Sequence, residues 1–330
     1  MPAANTPEKK LQTVSFIMPV LNEEKYLESA VRSIFEQKNL KTSDIQVVLA
    51  LGPSTDSTNT IAESLKSQFP VKTVLNPTGK TPAGLNLAIN DSDHEVIVRV
   101  DAHSVLSPDY TALAIEILNE TGAANVGGLM KAEGTSPFQK AVAWAYRSRV
   151  GLGGGSFHVG GQAGPSDSVY LGVFRADSLK KLGGFNEKML RGQDWELNLR
   201  IRQSGQVVWF DPRLEVTYYP RSRLSKLGKQ FFGTGAWRAQ LTVSHLKSAN
   251  LRYFAPPLLV LAIGLGIIAS FLGLGWIGLI PTFIYSALVF LSSLTAKGLG
   301  LLSRMALLLV LPTMHLSWGS GFLSGLIIKR

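Results

Sequence analysis

The chain has no cysteine among its 330 residues, which excludes disulfide scaffolds, thiolate zinc sites and cysteine nucleophiles and suits a reducing compartment. Acidic residues are missing from the last third. None follows Glu215, while eleven basic side chains do, from Arg221 to Arg330. The first 215 residues carry 22 basic and 23 acidic groups, so the formal charge of +10 belongs to the tail. Nucleic-acid binding needs a basic face on the folded domain and is not expected. Val14 to Leu21 is short, contains Pro19 and runs into Asn22, Glu23 and Glu24, so it lacks the form of a signal peptide. The N-terminal part is expected to stay where it is made.

Charge of either sign is missing over the 44 residues between Arg252 and Lys297. That length holds two helices of about 20 residues, each able to cross a hydrocarbon core of roughly 30 Å. Spans are expected at 254–272 and 276–296, with Gly273-Leu274-Gly275 as the hairpin. A third uncharged stretch, 305–328, is long enough to span. Pro312, His315, Ser317, Gly319, Ser320 and Gly321 also make it polar enough to line a cavity. The basic residues from Arg221 to Arg252, with Lys297 and Arg304, mark a cytoplasmic face, whereas the 273–275 loop has none. The expectation is a multi-pass protein of the cell (inner) membrane with its soluble domain in the cytoplasm. Core helices of a soluble protein rarely run to 44 uncharged residues.

The remainder alternates. Val14–Val20, Ile45–Leu51, Val71–Leu75 and Val96–Val100 are short apolar runs of strand character. Between them, Leu27, Ala30, Val31, Ile34 and Phe35 share one helical face, Ile61, Leu65 and Phe69 mark a second helix, and Thr81–Asn90 a third. Ser107 before Pro108 predicts the start of a helix that buries Leu113, Ala114, Ile117 and Leu118. Strands and helices in this order imply a doubly wound α/β fold with a mostly parallel sheet, whose ligands lie at the carboxyl ends of the strands. Polar clusters stand there: Asn22 and Glu23, then Ser54 to Asp56, then Asp101 and His103. Each also reads as a cap or turn.

Neither GxGxxG nor GxxxxGK[ST] follows the first strand, so the common dinucleotide and P-loop cradles are missing. Asp101-Ala-His103 offers a carboxylate and an imidazole to one side of Mn2+ or Mg2+, a diphosphate supplying further oxygens; a capping Asp beside a surface His is the plainer alternative. Asp194, in Gln193-Asp194-Trp195-Glu196, falls at a helix N-terminus that stabilises the anion. There it is either a cap or a group that accepts a proton from an incoming hydroxyl.

Taken in order, Pro19-Val20-Leu21-Asn22-Glu23, Pro53-Ser54-Thr55-Asp56, Val100-Asp101-Ala102-His103, Gly183-Gly184-Phe185-Asn186-Glu187, Gln193-Asp194 and the stretch Gln230 to Arg238 resemble the motifs of family 2 inverting glycosyltransferases. The Asp-Ala-His motif and the hydrophobic C-terminal region are most similar to the membrane-bound branch typified by the succinoglycan glucosyltransferase of bacterial exopolysaccharide assembly. The resemblance spans about residues 13–245. It implies a GT-A fold, here a doubly wound mixed sheet followed by transmembrane helices. It also implies a nucleotide-diphosphate sugar donor, with UDP expected, a divalent metal, inversion at the anomeric carbon, and a lipid-linked glycan acceptor in exopolysaccharide or cell-envelope synthesis. The organisation that follows is an N-terminal tail (1–12), a catalytic domain (13–220), a basic amphipathic juxtamembrane segment (221–252) and a membrane region (253–330).

Carried over by residue, Pro19, Asn22 and Glu23 border the nucleotide and Asp56 sits beside it. Asp101 is the metal carboxylate, and His103 stands where the family commonly has a second Asp. Asp194 is the base. Trp237 and Arg238 match the pair that covers donor and acceptor. Leu51-Gly52 replaces the Asp that many members set against uracil. Lys80 adds positive charge near the phosphates or is a solvated surface lysine. Gly151 to Gly164, with seven glycines, reads as a mobile loop over the acceptor or as a linker. A polyprenyl-phosphate sugar transferase shares the fold, but its phosphate nucleophile needs little help from a base. A processive synthase needs more spans than the tail offers. A non-catalytic, membrane-anchored nucleotide-sugar binder would keep its function without Asp194.

Overall fold

The computed structural model describes residues 12–102, 104, 106–245 and 250–328. By internal packing the chain divides into two compact units, one of the residues up to Met130 with Gly160–Thr217, the other of Lys131–Val159 with the chain from Tyr218 on.

The first unit is built on the strands β1 (Val14–Val20), β2 (Ile45–Leu51), β3 (Val71–Leu75) and β4 (Val96–Arg99), each followed by a helix: α1 (Leu27–Phe35), α2 (Thr58–Lys66), α3 (Thr81–Asn90) and α4 (Tyr110–Thr121). β1 and β2 are apolar almost throughout because helices cover both faces of a parallel sheet. Phe16, Met18, Val47 and Leu49 face the α1, α2 and α4 side, and all four are completely buried. The opposite face of β1 and β2 packs against α3, whose Leu85 and Ala88 are also fully enclosed. Each large apolar side chain buried in this way contributes about 1.5–3 kcal/mol.

The remaining strands are β5 (Asn125–Ala132), β6 (Gly164–Pro165), β7 (Tyr170–Arg175) and β8 (Val208–Tyr218). The sheet order is β3-β2-β1-β4-β7-β5-β8-β6. β3-β2-β1-β4 is parallel; β7 runs antiparallel to both β4 and β5, and β6 antiparallel to β8. The sheet read as mostly parallel from the strand and helix alternation is therefore mixed, with β7 inserted antiparallel between β4 and β5. An apolar run does not carry its own direction, which the connections decide. α4 begins later than the Ser107 cap predicts: the Ser107 carbonyl instead accepts bonds from Tyr110 N and Gln37 Nε2.

The second unit starts with α5 (Pro137–Tyr146), whose Ser136 and Gln139 form a capping box, and continues through the short turns α6 (Arg149–Leu152) and α7 (Ser156–Val159). The helices α8 (Ala176–Lys181) and α9 (Gln193–Gln203) belong to the first unit. The second resumes with α10 (Leu224–Ser244), α11 (Ala255–Ala269), α12 (Ile280–Thr295) and α13 (Leu301–Ile327). The helical run from α11 to α12 breaks where Gly273 and Gly275 take φ of 113° and 54°. Among the described residues, the stretches 251–295 and 301–327 are long and apolar enough to cross a membrane. In the most apolar window of the first, no residue is buried, against 39% of the second. α13 is covered in part by α5 and α10, whereas α11 and α12 present Leu258, Leu265, Phe283 and Ile284 outward, and Phe271 between them is also exposed.

Candidate active site

β1 lies between β2 and β4, so the crossovers leave it in opposite directions and a crevice opens at the carboxyl ends of β1 and β4. The loop after β1 is laced to the loop after β2. Asn22 adopts φ 56°, a left-handed conformation that asparagine tolerates, and its Oδ1 accepts from Thr55 N at 2.8 Å. Its own N–H donates to Ser54 Oγ at 3.1 Å. Glu23 N donates to Thr58 Oγ1 at 2.8 Å, and Glu24 N to Asp56 Oδ2 at 3.4 Å. Asp56 also receives the Thr58 N–H and hydroxyl, and the hydroxyl bond is the chief cause that holds its carboxyl below the usual range. Asn22, Glu23 and Asp56 are thus drawn together, with much of their bonding capacity spent on one another. Pro19 is opposite Ala50 in the β1–β2 register. Lys80 is exposed at the start of α3, its backbone tied to Thr78 and Asn76.

At the end of β4, Asp101 and Asp194 meet on a single cation. Arg99 Nη2 donates to Asp101 Oδ1 at 3.1 Å, and Nη1 forms a direct ion pair with Asp194 Oδ1. The three side chains are 8%, 24% and 42% exposed in the order Arg99, Asp101, Asp194, a gradient from the core to the crevice. Burial works against the Arg99 charge, but the carboxylates of Asp194 and then Asp101 outweigh it and hold its pKa above the usual range. Asp194 is the second residue of α9, after Gln193, where the helix N-terminus favours its charge. The Arg99 guanidinium also lies 6.0 Å from the Phe185 ring centroid. Phe185 is fixed because Asn86 of α3 bonds both its N–H (2.7 Å) and its carbonyl (2.8 Å). A Cβ on the preceding Gly184 would come within 2.4 Å of that Asn86 oxygen.

Glu196 is spent differently. It is 6% exposed and doubly bonded to Arg200, at 2.7 and 2.9 Å, and Arg200 in turn donates to the carbonyls of Leu182 and Gly184. Two residues, a little over half a turn of α9, therefore separate a structural carboxylate from Asp194, which is bonded to Arg99. Trp237 and Arg238 lie on α10 in the second unit, where Arg238 sits 4.4 Å over the Tyr253 ring and Arg252 shares the same ring at 5.2 Å.

A divalent ion fits what Asp101 offers. Oδ1 accepts from Arg99, while Oδ2 takes no hydrogen bond among the described residues. One open carboxylate oxygen suits a hard cation whose other ligands come from a diphosphate and water. Among the described residues no three His, Asp or Glu side chains gather into a complete protein cage, and His103 lies outside the described residues. The sequence reading passed over Arg99. Its signal was an arginine ending Val96-Ile97-Val98, a strand otherwise wholly apolar.

A family model described as glycosyl transferase family 2 matches residues 15–183. The succinoglycan biosynthesis protein ExoA of Rhizobium meliloti (strain 1021) is 30% identical over 314 residues, covering 93% of this chain and 92% of its own. The dolichyl N-acetyl-alpha-D-glucosaminyl phosphate 3-beta-D-2,3-diacetamido-2,3-dideoxy-beta-D-glucuronosyltransferase of Methanococcus voltae is 25% identical over 232 residues, 68% of this chain and 72% of its own. In fold the chain is similar to the mannosyltransferase PcManGT from Pyrobaculum calidifontis in complex with GDP-Man and Mn2+, with a TM-score of 0.62 at 18% identity over 98% of this chain and 89% of that one. It is also similar to S. aureus TarS 1–349 in complex with UDP-GlcNAc, with a TM-score of 0.52 at 17% identity, covering 87% and 77% of the two chains.

Proposed function

The chain belongs to glycosyl transferase family 2 and has the GT-A fold, and from that premise we propose that it transfers a sugar from a nucleotide-diphosphate donor to a hydroxyl of a lipid-linked glycan, with inversion, in polysaccharide synthesis at a membrane. The observation that carries the reading is the meeting of Asp101 and Asp194 at the crevice beside β4. Two relatives support the partners: one is named for succinoglycan biosynthesis, the other for transfer to a dolichyl-linked sugar. Solved neighbours with GDP-Man and UDP-GlcNAc support a nucleotide-sugar donor, and UDP stays the proposed nucleotide.

In this reading Asn22, Glu23 and Asp56, with Pro19 beneath them, shape the nucleotide side of the crevice. Lys80 adds charge near the phosphates, and Trp237 with Arg238 serves donor and acceptor from α10. Asp194 removes the proton of the acceptor hydroxyl while its oxygen bonds to the anomeric carbon, and the bond from that carbon to the diphosphate breaks on the opposite side. An α-linked donor gives a β-linked product. Mn2+ or Mg2+ held by Asp101, with His103 as the second ligand the family resemblance implies, would neutralise the charge that grows on the leaving diphosphate. A hydroxyl acceptor is favoured over a polyprenyl phosphate because a phosphate nucleophile gives Asp194 no proton to take.

The test is Asp194→Asn, which keeps size and removes the proton acceptor. Membranes holding the variant should bind the nucleotide sugar as the parent does and turn over about 10² to 10⁴ more slowly. Glu196→Gln should retain turnover and lose stability instead, by about 1–3 kcal/mol for a weakened bond to a charged partner. A dead Glu196→Gln beside an active Asp194→Asn would move the base by two residues.

A further inference from the structure

Arg99 is an enclosed cation where its strand asks for an apolar side chain. Val96, Ile97, Val98 and Val100 around it are at most 1% exposed, and Arg99, taken as a whole residue, is 6% exposed. Burying a guanidinium is costly unless its charge is met, and here carboxylates two and 95 residues away meet it. The match is incomplete as packing, since Nε is enclosed with no hydrogen-bond partner among the described residues. A residue that breaks the local pattern in this way belongs to a functional site more readily than to a stability device.

The contacts of Asp194 show what Arg99 does there. Asp194 is 42% exposed in the first turn of α9, and Arg99 is the only hydrogen-bond donor its side chain has among the described residues. Without that donor the carboxylate would turn among its rotamers. Asp101 stands on the other arm of the same guanidinium, so the planar fork sets the two carboxylates at one offset although they come from separately packed elements. A lysine, a point charge on a flexible stem, cannot do this.

We propose that Arg99 is the positioning residue for transfer: it holds the Asp194 carboxylate in register with Asp101. The inference rests on the reading of Asp194 as the base. It is tested by a cycle of Arg99→Lys, Asp194→Asn and the double variant, made in the full chain in a membrane mimetic, reading kcat, donor KM and thermal midpoint. Arg99→Lys should lower kcat about 10²-fold, the scale of a small misplacement of a reacting group, with donor KM changed less than about threefold. Added to Asp194→Asn, it should change kcat less than about twofold, because the group it positions can no longer take a proton.

A second loss of about 10²-fold in the double variant overturns the proposal, since Arg99 would then act independently of Asp194. So does parental kcat in Arg99→Lys, or a loss confined to KM. Parental turnover in Asp194→Asn removes the base reading and this proposal with it, an outcome distinct from the others. Should Arg99→Lys fail to fold by its thermal midpoint, Arg99→Gln, which keeps one donor and no charge, takes its place in the same cycle with the same expectations.

Discussion

The side chains of the second unit are as unevenly charged as those of the tail, and His158 shows the consequence. Its ring lies tilted by 41° against Phe157, centroids 4.1 Å apart, and meets the Tyr146 ring edge-on at 5.9 Å. Burial, with Arg252 adding repulsion, lowers its pKa from 6.5 to about 3. The folded state therefore holds His158 neutral, while the unfolded state takes up a proton as the pH falls through 6.5. Stability from this group is complete above pH 6.5 and is lost as the pH falls from 6.5 towards 3, by about 1.4 kcal/mol per pH unit at most. Thermal midpoints measured between pH 7.5 and 4.5 should fall more steeply in the parent than in His158→Phe, which keeps the ring contacts and cannot be protonated. Equal slopes would show that His158 is charged in the fold.

At the scale of elements, α10 and α13 are held together by closeness that only small residues permit. A Cβ at Gly321 would sit 2.0 Å from the Phe232 carbonyl oxygen, and one at Gly235 would sit 2.0 Å from the Trp318 carbonyl oxygen. These are backbone atoms, which cannot rotate away as a side chain would. Stripes of small residues of this kind let apolar helices approach by van der Waals contact where no solvent drives them together. Gly321→Val should therefore force α13 off α10 and cost about 1–3 kcal/mol or more. Gly122→Ala is the comparison. Gly122 has φ 64° with nothing within 4 Å of the added carbon, so only backbone strain of about 1–2 kcal/mol is at stake. Melting curves of the two variants in detergent check the order, and a Gly321→Val as stable as the parent would show that the helices can part.

For the molecule as a whole, the excess charge and the exposed apolar helices belong together. The run from Arg221 to Arg252 carries seven basic residues and no acidic one, and it leads into α11, α12 and the turn between them, whose outward residues include Leu258, Phe271, Trp276, Phe283 and Phe290. A surface so apolar needs lipid or a partner to cover it. The expected outcome is that the chain stays with membranes after an alkaline wash. Protease added to vesicles with the cytoplasmic face inside should spare residues 12–245 until the vesicles are opened. Release by the wash would refute insertion in the membrane, and cleavage in sealed vesicles would refute the orientation.

Much of this was readable from local order. The runs Val14–Val20, Ile45–Leu51 and Val71–Leu75 are strands of the structure to the residue, because a buried parallel strand is a continuous apolar segment ended by turn residues, and both signals are local. The polar clusters after β1, β2 and β4 follow from the rule that chains wound in this way open a crevice at the carboxyl ends of their strands. The 44 uncharged residues and the one-sided tail are composition alone. The tertiary structure decided what depends on distant partners. Strand direction beyond β4 is set by the path of the chain, so the antiparallel course of β7 left no trace in its own apolar run. The segment 131–159 packs with the C-terminal helices because those helices supply its apolar surroundings. Arg99 is an odd residue at the end of a strand until the fold brings Asp194 across 95 positions to meet it, and only that juxtaposition turns a buried charge into a device that orients a carboxylate.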